Sequence, residues 1–482
     1  MDNQKVPKFT RRNVISSTAA VTIGAVIPNL WVLRGNASSE MEVILHAASA
    51  QRKLDPSFSQ PATLWNFNGA VPGPEIRVRQ GARLRVTVNN GLAEDTTVHW
   101  HGVRTSNAMD GVPYVTQKPI SPGNQFVYDF NAIDAGTYWY HPHQRSFEQV
   151  GRGLYGPLII EEANPIRVDR DVTWMLDDWR LEQSGEIEGD FGNSHDMSHS
   201  GRIGNTVTIN GKKMEMFSVG KGERIRLRLI NAANARIFGL DFQGHEPVII
   251  ALDGQPVTPH RPNNNLVILG PAMRVDLVLD MVGNSDDIND VVDRFYEGLA
   301  YRLTSIKYSD KVVRNSPPNW SVQLPKNPLK EPDFPNAQHH EVLFSGGMMG
   351  NMVMREMGIN TTTSNSMMGM MYSKNIWFIN GVAAEGHIMD PMLNLDLNRS
   401  YVISMTNASA WYHPIHLHGH SFRVVSRGGK MTKYQEWQDT VLMAPRETVE
   451  IAFVADNPGD WMFHCHILEH QASGMMGVIR VA

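Results

Sequence analysis

The sequence predicts an all-β protein built from three consecutive β-sandwich units. Short runs of β-branched and aromatic residues, bounded by Gly, Pro and Asn, outnumber patterns with a helical period. Two kinds of segment also recur three times, which indicates one structural unit repeated along the chain. An apolar run ending in Asn-Gly occupies residues 64–69, 205–211 and 375–381, and a strand-like run ending in Asn occupies 82–90, 223–231 and 399–407. Strands at this spacing favour two packed sheets in each unit.

The first 37 residues are predicted to be a twin-arginine export signal. They begin with a basic region that contains Arg11-Arg12, continue with an apolar stretch, and end with small residues at 35–37. A membrane anchor is the alternative, but the apolar stretch is shorter than the roughly 20 residues of a membrane span, and Pro28 interrupts it. We therefore expect cleavage after Ala37, a periplasmic protein, and no attachment to the membrane after cleavage.

The repeats place the three units at residues 38–163, 164–320 and 336–482. Residues 321–335, between the last two units, are rich in Pro and are predicted to be a linker. The net charge of −5 and the lack of a basic run argue against a nucleic-acid partner. We expect a monomer.

The segment at 464–475, HCHILEHQASGM, contains the only cysteine of the chain. On a β-strand, the two histidines of its His-Cys-His start point to one face and Cys465 to the other, so one strand can serve two metal sites. A single cysteine cannot form an intrachain disulfide, and pairing between chains or burial as an inert thiol leaves its histidine neighbours unexplained. Together with a histidine from residues 413–420, Cys465, His470 and Met475 form a soft ligand set that suits a blue-type copper site.

Four His-x-His pairs are divided between the first and the third unit. They are His99 and His101, His141 and His143, His416 and His418, and His464 and His466. Unit two has Phe238-Gly239-Leu240 at the place of the first pair, so it is expected to be a spacer or a wall without metal ligands. A histidine-rich segment is often a surface cluster, but eight imidazoles at matched spacings require units one and three to meet. They are too many for one copper ion and suit a cluster of three.

The segments HWHG (99–102), HPH (141–143), HPIHLHGH (413–420) and HCHILEHQASGM (464–475) resemble those of the multicopper oxidases. The resemblance covers nearly all of the mature chain and points to the bacterial three-domain copper-tolerance type. It implies three cupredoxin-like Greek-key domains and four copper ions, one of type 1, one of type 2 and two of type 3. The ligands that it implies are His413, Cys465, His470 and axial Met475 for type 1, His99 and His416 for type 2, and His101, His141 and His466 with His143, His418 and His464 for the two type 3 ions.

The resemblance also implies a reaction in which electrons from the type 1 site reduce dioxygen to water at the other coppers. Cys465 is bonded to a histidine on each side and offers a short route between the sites. Asp110, in NAMDGVP, matches a family acid and is interpreted as a proton relay, with a solvated loop carboxylate as the alternative. Gln471 follows His470 where relatives often have an acid, so if that acid relays protons, this chain needs another route. Asp439, in EWQDTV, is interpreted as structural.

A methionine-rich insertion at 346–371 is predicted to capture Cu(I), because thioethers are soft ligands that select the cuprous ion. Its methionines are Met348, Met349, Met352, Met354, Met357, Met367, Met368, Met370 and Met371. The alternatives are disordered filler and an ordinary helical core face that begins with Met348 and Met352, but Arg355 occupies the next position of that face. Relatives often place Asp and Met before the first histidine of the third segment, where this chain has Ser409 and Trp411. A substrate copper site here is therefore not a copy of theirs.

A second soft cluster, His195-Asp196-Met197-Ser198-His199, lies in a Gly/Ser-rich loop of unit two. Imidazole and thioether are both ligands that suit copper. The sequence leaves open whether this cluster is a labile copper site or a solvated loop.

The predicted function is oxidation of Cu(I) to Cu(II) in the periplasm, coupled to four-electron reduction of dioxygen to water. A laccase-like oxidase of phenols or other small organic reductants is the alternative, with the methionine segment as a lid, and the sequence does not exclude an Fe(II) or Mn(II) oxidase. A copper-binding scaffold without turnover is a hypothesis of a different class. Such chains lose ligands, and here none is missing.

Overall fold

The computed structural model describes residues 40–359, 375–386 and 390–482, together with the backbone of Val32–Arg34. Within these residues the chain forms three β-sandwiches in succession, and each consists of two sheets. The predicted all-β class is confirmed. None of the helices in the described ranges is long and apolar enough to cross a membrane.

The first sandwich is formed by β1 (Val32–Arg34), β2 (Glu40–Arg52), β3 (Ala62–Phe67), β4 (Glu75–Arg79), β5 (Arg83–Asn90), β6 (His99–His101), β7 (Gln125–Asn131), β8 (Gly136–His141) and β9 (Gly156–Glu161). Its sheets have the strand orders β1-β4-β9-β8-β6 and β3-β2-β5-β7. A 3₁₀ turn at Asn107–Met109 and helix α1 (Ser146–Gln149) lie in its loops. Strand β1 pairs in parallel with β4 and precedes the predicted cleavage site, which remains a prediction.

The second sandwich is formed by β10 (Arg170–Trp179), β11 (Thr206–Ile209), β12 (Met216–Lys221), β13 (Arg224–Asn231), β14 (Phe238–Phe242), β15 (Val248–Leu252), β16 (Gln255–His260), β17 (Val267–Leu269), β18 (Arg274–Asp280), β19 (Ile288–Asp293) and β20 (Tyr301–Val312). Its sheets have the orders β11-β10-β13-β18-β15-β16 and β12-β20-β19-β14-β17. Helix α2 (Ser194–Ser198) interrupts the loop between β10 and β11, and a 3₁₀ turn lies at Asn263–Asn265.

The third sandwich is formed by β21 (Gln338–Gly346), β22 (Trp377–Ile379), β23 (Leu393–Leu395), β24 (Ser400–Ala408), β25 (His413–Leu417), β26 (Phe422–Arg427), β27 (Lys430–Met431), β28 (Trp437–Gln438), β29 (Thr440–Met443), β30 (Thr448–Val454), β31 (Gly459–Cys465) and β32 (Met476–Val481). One sheet has the order β22-β21-β24-β30-β26-β27, with β28 also on β26, and the other has the order β23-β32-β31-β25-β29. A 3₁₀ turn at Phe334–Asn336 precedes this sandwich, and its helices are α3 (Gly350–Glu356) and α4 (Leu468–Ala472).

The recurrent Asn-Gly segments form the same turn in all three units. Each asparagine and the glycine after it have positive φ, as a two-residue type I′ turn requires, with asparagine values of 55°, 52° and 51°. The residue pairs that close these turns are Phe67 and Ala70, Ile209 and Lys212, and Ile379 and Val382. In each unit the side-chain oxygen of the asparagine accepts a backbone N–H from the neighbouring strand. The repeat seen in the sequence is therefore a repeat in structure.

The second recurrent segment ends in an asparagine that closes the loop after the strand. These residues are Asn90 on β5, Asn231 on β13 and Asn407 on β24. Each side-chain amide donates to two backbone carbonyls, and its oxygen accepts the N–H two residues later. In units one and three, the loop held in this way leads to β6 and β25, the strands that carry His99 and His416.

Buried charges join the first unit to the second. The Arg226 guanidinium on β13 donates to Glu162 at 2.7 Å, just beyond the end of β9. Arg228, two residues later, forms a bidentate ion pair with Asp171 inside unit two, and across the contact it donates to the Thr137 hydroxyl of β8 at 2.8 Å. Because an unpaired buried charge costs several kcal/mol, these contacts hold the two units in one relative orientation.

Candidate metal centres

Three side chains of the third unit form a triangle of ligand atoms. Nδ1 of His413 lies 3.4 Å from Sγ of Cys465, Nδ1 of His470 lies 3.8 Å from the same sulfur, and the two nitrogens are 3.2 Å apart. All three side chains are fully buried. A point equidistant from the three atoms lies about 2 Å from each, which is the length of a metal–imidazole bond. The triangle therefore has the size of a three-coordinate metal site.

The order of strands and helix brings these residues together. His413 begins β25 and Cys465 ends β31, and the two strands pair so that Ile415 lies opposite Cys465. Helix α4 follows β31 directly and carries His470. Met475 comes after this helix and is buried. Its N–H donates to the carbonyl of His470 and its carbonyl accepts the N–H of Cys465, both at 3.0 Å, so a thioether-bearing residue is hydrogen-bonded to two members of the triangle.

The second ring nitrogen of each imidazole in the triangle is held by the protein. Nε2–H of His413 donates to the Ser409 hydroxyl at 2.8 Å, and Nε2–H of His470 donates to the carbonyl of His199 at 2.6 Å. Because these bonds fix both tautomers, the Nδ1 lone pairs point to the side of Cys465. Ser409 and His199 stand out in the sequence for other reasons, and no feature of the sequence predicted that they hold the rings of His413 and His470.

The protonation chemistry of the triangle suits a metal that binds thiolate. Burial lowers the pKa of His413 well below its ordinary value and that of His470 to about 3, so both rings are neutral. Burial also raises the pKa of the Cys465 thiol well above its ordinary value. A bound metal ion reverses that preference because it displaces the thiol proton. Two imidazoles, a thiolate and a nearby thioether are the donor set of a blue-type copper site.

The eight histidines of the His-x-His pairs converge on one buried region between the first and the third unit. Pairing of β6 with β8 places His99 opposite His141, and pairing of β25 with β31 places His416 opposite His464. Across the contact between the units, the ring centres of His99 and His418 are 3.9 Å apart. Several sets of three ring nitrogens lie within 4.8 Å of one another. They include His99, His141 and His143; His99, His416 and His418; His101, His141 and His466; and His143, His418 and His464.

Backbone carbonyls hold one side of several of these rings and leave the other side free. Nδ1–H of His464 donates to the carbonyl of Cys465 at 2.8 Å, and Nδ1–H of His141 donates to the carbonyl of Pro142 at 3.1 Å. Among the residues that the structure describes, the buried ring nitrogens without a hydrogen-bond partner include Nε2 of His99, Nδ1 of His101, Nε2 of His143 and Nε2 of His416. Rings tied on one side and free on the other are typical of metal ligands.

Other ring nitrogens of this region face each other directly. Nε2 of His418 lies 3.1 Å from Nε2 of His464, and Nε2 of His466 lies 3.4 Å from Nε2 of His141. Burial lowers the pKa of all four rings well below the ordinary value, so they are neutral imidazoles. Converging lone pairs repel one another unless a cation lies between them, so the region fits metal ions.

Three stretches of the chain match family profiles described as multicopper oxidase, at residues 49–165, 170–287 and 357–482. The chain belongs to the multicopper oxidase family. A crystal structure of a multi-copper oxidase from Pseudomonas thermotolerans is 34% identical, with a TM-score of 0.80 over 92% of this chain and 99% of that one. A metallo-oxidase from Campylobacter jejuni is 26% identical, with a TM-score of 0.75 over 94% and 96%. Multicopper oxidase MmcO of Mycobacterium tuberculosis is 28% identical over 438 residues, which are 85% of this chain and 81% of that protein.

Copper is therefore the cofactor, and the multicopper oxidase is an oxidoreductase that uses dioxygen as the acceptor. Four ions per chain are standard for the family. The three β-sandwiches are cupredoxin-like, as the resemblance implied. The donor sets described above fit this cofactor, because thiolate and imidazole suit copper.

Asp110 lies within the histidine region of the oxidase. Its Oδ2 accepts Nδ1–H of His418 at 2.9 Å, and its backbone carbonyl accepts Nδ1–H of His99 at 2.7 Å. The carboxylate is 2% exposed, which disagrees with the alternative of a solvated loop carboxylate. Asp110 thus touches one ring from each of the two units that form the region.

Asp439 and Thr440 form the opposite side of this region. Oδ1 of Asp439 accepts Nε2–H of His101 at 3.2 Å, and the Thr440 hydroxyl lies 3.1 Å from both Nε2 of His101 and Nδ1 of His416. Burial opposes ionisation of Asp439, but the Arg274 guanidinium outweighs it and holds the pKa of this carboxyl well below its ordinary value. Besides the structural role expected from the sequence, the Asp439 carboxylate thus orients the ring of His101. Arg274 lies in unit two, outside the motifs, and no feature of the sequence pointed to it.

Gln471 fills the position beside His143. Its side-chain amide lies 3.3 Å from Nδ1 of His143 and 3.1 Å from the Ser146 hydroxyl. An amide can hold the ring but has no proton to release near neutral pH. In this oxidase the group beside His143 therefore orients a ring without relaying protons.

The first unit lacks the counterpart of the thiolate triangle. Pro142 stands between His141 and His143, where the third unit has its cysteine. Thr96 occupies the place of His413, and its hydroxyl donates to Oε1 of Gln149 at 2.7 Å. This buried polar pair closes the position without a metal.

The described part of the methionine insertion does not form an ordinary core face. Helix α3 buries Gly350 and Val353, whereas the side chains of Met348, Met349 and Met352 are exposed and those of Met354 and Met357 are half-buried. The remaining predicted ligands, Met367, Met368, Met370 and Met371, lie outside the described residues.

Proposed function

We propose that this multicopper oxidase acts on Cu(I), which it oxidises to Cu(II) in the periplasm while dioxygen is reduced to water. Four Cu(I) ions supply the four electrons that one dioxygen molecule requires, and four protons enter as two water molecules form. Cu(I) is the substrate in this reaction, distinct from the resident copper ions. Export through the signal at 1–37, with cleavage after Ala37, is part of the proposal.

The observation that carries the proposal is the position of the methionine segment beside the triangle. The N–H of Met348 donates to the carbonyl of Ser198 at 2.8 Å, and its carbonyl accepts the indole N–H of Trp411 at 3.3 Å. Trp411 is two residues before His413 of the triangle. The exposed fractions of Met348, Met349 and Met352 are 37%, 48% and 44%. Thioethers presented to solvent at this place favour a soft cation as substrate.

The proposed copper ligands are those that the resemblance to the family implies. They are His413, Cys465, His470 and Met475 for type 1, His99 and His416 for type 2, and His101, His141 and His466 with His143, His418 and His464 for the two type 3 ions. Bound at these places, copper supplies one-electron transfer and the binding of dioxygen. Cys465 connects the two regions, because its side chain belongs to the triangle and its neighbours on both sides belong to the histidine region.

Asp110 is the proposed proton relay. Its carboxylate is buried among the rings that surround the dioxygen site and can take up and release a proton there. Gln471 cannot replace it, because an amide carries no acidic proton. Asp439 is engaged by Arg274, which favours its ionised form and an orienting role.

The test is oxygen uptake with Cu(I), Fe(II) and a phenol on one fully copper-loaded sample. We expect Cu(I) to give the highest kcat/KM. Replacing Met348, Met349 and Met352 together by Leu should raise KM for Cu(I) about tenfold, the order of effect expected from weakened metal contacts, and should leave phenol oxidation unchanged. The matched control replaces the exposed Met216 and Met431 by Leu, which lie outside this segment. Unchanged Cu(I) kinetics in the triple variant would remove the methionine segment from the proposal.

The location is tested by cell fractionation. The mature protein should appear in the periplasmic fraction with its N-terminus at Ser38, and Arg11→Lys/Arg12→Lys should retain it in the cytoplasm. An N-terminus upstream of Ala37 in the exported protein would overturn the cleavage site.

A laccase-like activity is the second candidate, and one surface feature favours it. Tyr412 directly precedes His413 and is 37% exposed, and its ring centre lies 5.4 Å from that of Phe295 in an edge-to-face arrangement. An exposed aromatic edge next to a ligand of the triangle suits a phenolic reductant. Phenol turnover equal to or better than Cu(I) turnover, lost in Tyr412→Ala/Phe295→Ala, would favour this candidate.

A further inference from the structure

Helix α2 of unit two carries His195, and His199 directly follows the end of the helix. The two rings are stacked, with centres 4.1 Å apart and planes inclined by 26°. His195 is exposed and His199 is half-buried. Nδ1–H of His199 donates to the carbonyl of His195 at 3.0 Å, which leaves Nε2 of His199 as its acceptor atom. A ring held in this way is ready to bind a metal ion.

The helix is held in place by contacts that do not use the two rings. Asn193 caps it by accepting the N–H of Asp196 at 2.9 Å. The carboxylate of Asp196 is buried and makes a two-pronged contact with Arg180, at 2.7 and 2.9 Å. Asp196 is therefore committed to an ion pair. The donors left here are the two imidazoles, which suit copper better than a hard cation.

The same helix lies directly against the thiolate triangle. The carbonyl of His199 accepts Nε2–H of His470 at 2.6 Å. The carbonyl of Met197 accepts the indole N–H of Trp377 at 2.7 Å, and the Trp377 ring centre lies 4.2 Å from that of His470. One hydrogen bond thus separates the backbone of His199 from a ligand of the triangle.

A thioether residue lies next to the histidine pair. The N–H of Met348 donates to the carbonyl of Ser198, which directly precedes His199. The ring of His199 also lies 5.4 Å from that of Trp411, whose indole N–H donates to the Met348 carbonyl. The methionine segment and helix α2 therefore meet at the triangle, although they come from different units.

We infer that His195 and His199, with the thioether of Met348, form a surface binding site for Cu(I) from which the ion delivers its electron to the oxidase. The inference rests on the proposed Cu(I) oxidase function and names the residues that hold the substrate. Oxidation of the bound Cu(I) to Cu(II) releases one electron, and the reduction of dioxygen by the same enzyme consumes it. His195 is exposed, which provides a route for release of the Cu(II) product to solvent.

Binding is tested apart from turnover with Ag(I), a redox-inert stand-in for Cu(I). The copper-loaded oxidase and its His195→Gln/His199→Gln variant are titrated with Ag(I), and bound silver is examined by X-ray absorption. We expect the variant to bind one Ag(I) ion fewer per chain and to lose the imidazole nitrogen signal around silver. A control, His46→Gln/His260→Gln, removes two other solvent-accessible histidines and should bind as wild type. Equal binding and equal nitrogen signal in wild type and His195/His199 variant would overturn the site.

Measurements of Cu(I) oxidation by wild type and variant distinguish failure of this site from failure of the proposed function. His195→Gln alone, which leaves His199 unchanged, should raise KM for Cu(I) about tenfold while its blue absorption and phenol oxidation stay at wild-type values. Wild-type protein without Cu(I) oxidase activity would defeat the proposed function, whatever the Ag(I) result. If the wild type oxidises Cu(I) and the variant does so with the same kinetics, the histidine site is refuted and the proposed function still stands.

Discussion

Arg274 of the second unit donates to the Asp439 carboxylate of the third unit through both terminal nitrogens of its guanidinium. The distance between Nη1 and Oδ1 is 2.8 Å. Both side chains are fully buried. Asp439 in turn contacts His101 of the first unit and lies next to His416 of the third. The unit without metal ligands, expected to be a spacer or a wall, thus supplies the group that orients the carboxylate between two candidate ligands.

Replacing Arg274 by Leu should disrupt the histidine region while sparing the triangle. The change leaves a buried carboxylate without its partner, which costs about 3–5 kcal/mol. We expect a lower copper content and loss of oxygen reduction, with the blue absorption of the type 1 site retained. Metal analysis and the absorption spectrum of the reconstituted protein measure both effects.

Two further variants keep this test interpretable. Arg274→Lys retains the charge but not the planar fork, so it should show an intermediate loss even if the Leu variant folds poorly. Arg294→Leu removes a partly exposed guanidinium that pairs with Asp241 in the same unit and should have no effect on copper content. Full copper loading and activity in both Arg274 variants would contradict the orienting role.

Cys465→Ser should abolish the blue absorption and all oxidase activity. A hydroxyl does not ionise to a soft ligand, so the variant loses the thiolate while the histidine region keeps its donors. Copper content should fall by one ion per chain. The absorption spectrum, metal analysis and oxygen uptake with Cu(I) and a phenol follow these changes, and a variant that stays blue and active would refute the assignment of the triangle.

Asp110→Asn should slow catalysis without emptying the metal sites. The amide keeps the size of the side chain but cannot relay protons, so we expect kcat to fall about 100-fold. Reduction of the type 1 site by a reductant in the absence of oxygen should proceed at the wild-type rate. Asp134→Asn, at another buried carboxylate of the first unit, is the control. Loss of copper in Asp110→Asn would point to ring orientation as its main role.

The Asp171–Arg228 ion pair within unit two should weaken in acid. Burial opposes ionisation of Asp171, but the Arg228 guanidinium outweighs it and holds the pKa of the carboxyl well below its ordinary value. The ion pair therefore stabilises the fold above a pH of about 4 and is lost as the pH falls further, toward the folded-state pKa. Because the Asp171 side chain is 28% exposed, we expect Asp171→Asn to cost about 1–2 kcal/mol at neutral pH, less than a fully buried pair.

Thermal unfolding at pH 7 and pH 3 measures this effect. The difference between wild type and Asp171→Asn should be large at pH 7 and should shrink at pH 3. Asp460→Asn, at an exposed pair with Arg480, is the comparison and should change the midpoint little at either pH. A difference that grows as the pH falls would have the wrong sign for this explanation.

Local sequence patterns predicted the repeated parts of the fold. The Asn-Gly turns around Asn68, Asn210 and Asn380 all adopt positive φ, because the turn type demands residues that tolerate it. The first pair, His99 and His101, lies on β6, whereas each of the other pairs has one histidine on a strand and its partner just beyond the strand end. The strand register places His99 opposite His141 and His416 opposite His464. Local patterns did not reveal the role of Ser409, because a hydroxyl that holds one ring nitrogen leaves no periodic or motif signal.

By itself, the sequence determined which ligand types this oxidase has and in which of the repeated units they occur. Turn preferences and donor chemistry are properties of the residues themselves. Only the tertiary structure decided which groups hydrogen-bond to those ligands and fix their orientation. The bond from His470 to the His199 carbonyl joins residues 271 positions apart, and that from Arg274 to Asp439 joins residues 165 apart. Contacts of this kind depend on how whole units pack, and packing is the sum of many weak surface interactions that no single segment encodes.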